Sequence, residues 1–142
     1  MTCRSQLISS GRDWIGTPYR HQASVKGVGA DCLGLIRGIW RDCLGAEPEL
    51  PPPYTPDWAE AVGDDLLLDR FQSYFVERPI GDAEPGDVLL FRMGLGCPAK
   101  HAALMTGPTH ILHAYWGRSV CETRLVPWWQ RRIAAAFAFP DI

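Results

Sequence analysis

The sequence predicts an α+β fold, with N-terminal helices packed on an antiparallel sheet of about five strands. Two patterns carry that prediction. Apolar residues at helical spacing are confined to the segments before Pro79, and strand-sized runs punctuated by Gly and Pro turns follow it. Helices first and strands afterwards is the order of a helix layer on a sheet. The chain has 142 residues, 46% hydrophobic and 21% charged, enough to bury a core without staples. Residues 1–142 are therefore expected to form a single domain.

The elements follow in order. A short helix is expected over about Cys3 to Ile15, ended by Gly16-Thr17-Pro18. A Gly-rich loop runs from Val25 to Ala30. A second helix starts at Cys32, capped by Asp31, with Cys32, Leu35, Ile36, Ile39, Trp40 and Cys43 on one face and Gly45 just beyond its end. The Pro-rich stretch Gly45 to Trp58, including the loop at 48–57, excludes helix and central strand and reads as an ordered surface loop. Asp57 to Phe75 reads as a helix weakened near Gly63. Strands are expected at Asp87–Arg92, Ala99–Gly107, His110–Gly117, Ser119–Val126 and Arg132–Pro140.

Composition excludes several classes. A net charge of -2 gives no reason to expect nucleic acid or an anionic membrane as partner. The short run holding Arg124, Arg131 and Arg132 reads as a solvated basic patch. No apolar run reaches the ~18 residues of a membrane span. The first residues lack the apolar stretch of a secretory signal, so synthesis in the cytoplasm without export by the general secretory route is expected. Five cysteines, at 3, 32, 43, 97 and 121, are an odd number without a CxxC pair, which argues against a disulfide framework and a zinc ribbon.

Cys32 is unusual because cysteine is a poor choice at a helix start. Unpaired N–H groups there favour a thiolate and can hold a developing oxyanion. A thiol nucleophile needs a proton acceptor. His101 lies in one expected strand and His113 in the next. A hairpin about Gly107–Thr109 sets His101 opposite Tyr115 and His113 opposite Ala103, which brings the two imidazoles diagonally together on one face. Cys32, His101 and His113 then read as nucleophile, base and orienting group. Spacing alone leaves other roles open: Cys32 as a packing residue, each histidine as a satisfied strand residue. A metal site from Cys97, His101 and His113 lacks the usual short-spaced pairs.

The stretches "GTPYRHQASVKGVGADCLGLIRGIW", "EPGDVLLFRMG", "AKHAALMTG" and "HILHAYWG", in this order, resemble the NlpC/P60 family of cell-wall cysteine peptidases. They are most similar to its phage-type branch, found with tail genes of phages and gene transfer agents. The resemblance spans about Trp14 to Phe139 and implies a papain-like fold. It also implies cleavage of peptidoglycan stem peptides, commonly between D-γ-glutamyl and a diamino acid. By position, Cys32 matches the nucleophile, His101 the base and His113 the third polar residue. Tyr19 matches a tyrosine that binds substrate or the oxyanion, and Asp31 the acid that caps the helix and meets a substrate amine.

Many bacterial members carry Ser where this chain has Leu33, which bears on amine recognition and on the bond cleaved. The chemistry calls for no metal or organic cofactor. The implied partners are stem peptides and tail-tip or baseplate proteins. The implied setting is a phage-like tail particle that opens the wall of a target cell from its periplasm for DNA entry. Two other roles fit the same sequence: a catalytically silent tail adaptor, and an amidase or acyltransferase on the same fold.

Overall fold

The computed structural model describes residues 2–48 and 65–142. Helix α1 (Arg4–Arg12) begins at Cys3, whose backbone N–H donates to the Gln6 side chain at 2.8 Å. A two-stranded ribbon follows, β1 (Ser24–Val25) and β2 (Gly29–Ala30), within the expected Gly-rich loop. Helix α2 (Cys32–Cys43) occupies the predicted span, with Asp31 as its cap and Gly45 beyond its end at φ +104°. Helix α3 (Leu66–Tyr74) lies in the described part of the expected Asp57–Phe75 helix. The remainder of that segment and most of the Pro-rich loop lie outside the described residues.

Among the described residues the sheet has six strands, one more than the five expected. They are β3 (Val76–Arg78), β4 (Val88–Arg92), β5 (Ala99–Gly107), β6 (His110–His113), β7 (Cys121–Arg124) and β8 (Ile133–Ala138). Their order is β3-β8-β4-β5-β6-β7, every pairing antiparallel. A four-residue helix, α4 (Pro127–Gln130), lies between β7 and β8. The strand missing from the sequence reading, β3, is three residues long and carries Glu77 and Arg78. Its partner β8 is some sixty residues away in the chain, so no local pattern announces the pairing. Strands β6 and β7 are shorter than expected because the chain leaves the sheet after His113 and rejoins it at Cys121.

Alternation along the strands explains the two cores. Leu90, Ala102, Leu104, Leu112 and Phe137 face the helices and pack with Leu7, Leu35, Ile39, Leu67 and Phe71. Leu89, Phe91, Ala103, Ile111 and Ala136 face the other way and are covered by Leu125 and Trp129 from the β7–β8 connection. Burying side chains of this size favours folding by about 1.5–3 kcal/mol each before entropy is counted. Two glycines let α2 sit close to its neighbours. A Cβ at Gly38 would fall 1.9 Å from the Trp14 ring, and one at Gly34 would fall 1.8 Å from the Ala23 carbonyl. The second contact presses the loop before β1 onto the first turn of α2, beside Cys32.

Candidate active site

Asp31 builds the start of α2. Its Oδ1 accepts from Gly34 N–H at 2.7 Å, and its Oδ2 accepts from Gln22 N–H at 2.7 Å, with His21 Nδ1 3.8 Å away. The carboxylate is buried. Capping therefore agrees with expectation, and both oxygens hold backbone of this chain. Tyr19 is placed beside the same helix start because Pro18 to Arg20 pairs with Ala30: Ala30 N–H donates to Pro18 O at 3.0 Å and Arg20 N–H to Ala30 O at 3.2 Å. Its ring meets Trp116 edge-on, centroids 5.5 Å apart. Burial, then the neighbouring Cys32 and Asp31, push the Tyr19 hydroxyl up to about 12, so it stays protonated and can donate.

Strand β6 leaves β5 after His113, and the backbone of Lys100 to Ala102 has no strand partner on that side. Cys32 occupies this gap. Its Sγ lies 4.0 Å from the Lys100 carbonyl, so the thiol bonds to backbone next to His101 rather than to the imidazole itself. The surroundings of the thiol work against the thiolate that a helix start favours. Burial, reinforced by the Asp31 carboxylate, pushes Cys32 up to about 12; the N–H groups of Ala102, Leu33 and Cys32 oppose this and are outweighed. Burial and the carboxylate both favour the neutral thiol at rest.

The imidazoles are brought together as expected. The β5–β6 register pairs Leu104 with Leu112 and Met105 with Ile111, which continues to His113 opposite Ala103. His101 Nε2 and His113 Nδ1 are 2.8 Å apart, and both residues are buried. Burial holds His101 well below 6.5, with His113 adding to the effect, and brings His113 to about 4. Both rings are therefore neutral near pH 7.

The sequence reading missed Thr123 and Trp129. Thr123 Oγ1 lies 3.1 Å from His113 Nε2. It sits opposite Ile111 on β7, one diagonal step from His113, so His101, His113 and Thr123 cross three strands on one face. The same diagonal rule that paired the histidines extends to Thr123. Trp129 packs on both imidazoles, with centroids 5.1 Å from His101 and 5.4 Å from His113, and Phe91 and Tyr115 complete an aromatic wall around His101. The segment that holds the exposed basic residues Arg124 and Arg131 also carries Trp129 into the site.

Among the described residues, no cluster of three or more His, Cys, Asp or Glu side chains is arranged to hold a metal ion. No described helix is long and apolar enough to cross a membrane.

This chain is 32% identical over 103 residues to the tail tip assembly protein K of Escherichia phage lambda. The match covers 72% of this chain and half the length of that relative. Its fold is similar to the NlpC/P60 domain of the peptidoglycan hydrolase SagA, with TM-score 0.71 and 20% identity over 96% of this chain and 99% of that one. It is also similar to RipD of Mycobacterium tuberculosis, a non-catalytic NlpC/P60 protein adapted to binding peptidoglycan, with TM-score 0.58 and 17% identity over 96% of both chains. Residues 16–137 match the NlpC/P60 family as a whole, and the chain belongs to that family.

Proposed function

We propose that this chain is a cysteine endopeptidase that hydrolyses peptide stems of peptidoglycan. The bond cut is that between D-γ-glutamyl and a diamino acid. Residues 1–142 act as one peptidase domain, carried in a phage-like tail or gene transfer agent particle to breach the wall of the target cell for DNA entry. One observation carries the reading: a thiol at a helix start meets the strand backbone flanking His101, whose ring heads a hydrogen-bonded chain through His113 to Thr123. The likeness to a phage tail tip assembly protein supports the particle.

The mechanism follows from proton accounting. His101 can take the thiol proton at Nδ1 only in the tautomer that carries hydrogen on Nε2. That hydrogen then donates to His113 Nδ1, which requires His113 to carry its own hydrogen on Nε2 and donate to Thr123 Oγ1. The thiol turns from the Lys100 carbonyl to His101 as substrate enters. Its sulfur attacks the amide carbonyl while His101 takes the proton. The first-turn N–H groups of α2 and the Tyr19 hydroxyl stabilise the oxyanion. The C–N bond breaks as His101 returns the proton to the leaving amine, and water then hydrolyses the thioester. Asp31 acts as a positioning residue, holding loop and helix start together.

Thr123 is a positioning residue in this scheme. Thr123→Val is expected to lower kcat by about tenfold and to move the acid limb of the pH profile downward, because the protonated His101 loses support through His113. Thr123→Ser restores both. An unchanged pH profile in the valine variant removes Thr123 from the chain.

The non-catalytic relative RipD keeps a second reading in view, a tail adaptor that binds the wall without cutting it. Incubation with isolated sacculi and labelling of new amino groups separates the two. Amine release supports the peptidase. Binding without release, by folded and reduced protein, supports the adaptor. Absence of the protein from purified particles removes the particle setting.

A further inference from the structure

We propose that an arginine-lined cleft beside the catalytic strands is a subsite for a carboxylate of the bound peptide. The inference rests on the peptidase reading and names a substrate feature that the reading leaves open. The cleft has a volume of about 420 Å³ and is lined by Arg92, Arg131, Arg132 and the Gly94–Gly96 turn. Arg92 is neutralised by Asp65, 2.8 Å away, and also donates to the Cys97 carbonyl. Arg131 and Arg132 have no carboxylate partner among the described residues. Among the described residues the cleft thus carries about two uncompensated positive charges.

Arg132 is held in place before any ligand arrives. Its guanidinium lies 3.7 Å over the Trp128 ring, its Nη1 donates to Trp128 O at 2.8 Å, and its buried Nε has no hydrogen-bond partner. A fixed planar cation is suited to a carboxylate.

The distance to the proposed chemistry fits a peptide. Ile133 of the cleft pairs with Phe91, and Phe91 pairs with His101. Two strand spacings amount to about 10 Å, the length of about three extended residues. Cys32 lies across β5 from the cleft, one further strand spacing away, so a peptide whose scissile bond lies at Cys32 can place a carboxylate in the cleft about four residues away. Stem peptides of peptidoglycan carry carboxylates that are free or amidated, and the cleft favours the free form.

The test is calorimetric titration of the Cys32→Ala protein with a stem peptide bearing free carboxylates and with its amidated counterpart. The free form is expected to bind about tenfold more tightly. Arg131→Gln with Arg132→Gln in the same background is expected to abolish that preference. Arg131→Gln alone, at an exposed side chain, is expected to reduce it and guards against misfolding of the double variant. Equal affinity for both peptides, a preference that survives the arginine changes, or no binding of either peptide overturns the subsite. Preference for the free form by a protein whose wild type cuts no sacculi leaves the subsite standing and removes the peptidase reading.

Discussion

Replacing His101 by alanine is expected to lower kcat/KM for stem-peptide hydrolysis by about ten-thousand-fold, with the fold retained. The magnitude follows from the resting state of the site. Burial and Asp31 hold the Cys32 thiol at about 12, so almost none of it ionises unaided at neutral pH. Burial holds His101 well below 6.5, so its base form persists into mildly acidic solution. Attack therefore depends on transfer of the proton from sulfur to His101 as the bond forms. A preformed ion pair would ask less of the imidazole. Two readouts check this. The acid limb of kcat/KM for the wild type should lie below pH 6.5, because only a protonated His101 stops accepting. Alkylation of Cys32 at pH 7 should slow sharply in His101→Ala. Equal alkylation rates in the two proteins would contradict His101 as the proton acceptor.

The buried imidazole pair is also expected to make the fold sensitive to acid. His113 titrates near 4 in the folded protein and near 6.5 when exposed. Between these values the unfolded chain takes up a proton that the folded chain refuses. Stability is therefore complete above pH 6.5 and falls as pH drops through the window, by about 3 kcal/mol at pH 4. His101, lowered by burial beside it, contributes with the same sign. Urea unfolding at pH 7, 5.5 and 4.5 measures the loss, and His113→Gln should flatten it. A midpoint that does not move across this window, or the same slope in His113→Gln, would contradict the neutral pair.

Much of the fold was legible because its signals are local. Asp31 and Gly45 bracket α2 at its observed ends, and the β5–β6 register followed from one turn. The pairing of His101 with His113 came from that register alone. What was not legible depends on distant chain segments. Strand β3 is formed by pairing with β8, and Trp129 reaches the imidazoles because the β7–β8 connection folds back across the sheet. Cys32 illustrates the limit of an isolated motif. A helix start argues for an acidic thiol, but burial against β5 and the adjacent Asp31 carboxylate outweigh it. Family resemblance proposed the roles of Cys32, His101 and His113, while the structure supplied the neighbours that decide their protonation.

In the proposed reaction Cys32 is the nucleophile of a stem-peptide hydrolase. The most direct measurement is mass spectrometry of the fragments released from isolated sacculi by wild-type and Cys32→Ala proteins of equal purity and fold. Stem peptides cut between D-γ-glutamyl and the diamino acid by the wild type, with no such fragments from Cys32→Ala, are the predicted result. Equal cleavage by both proteins, or by neither, would contradict it.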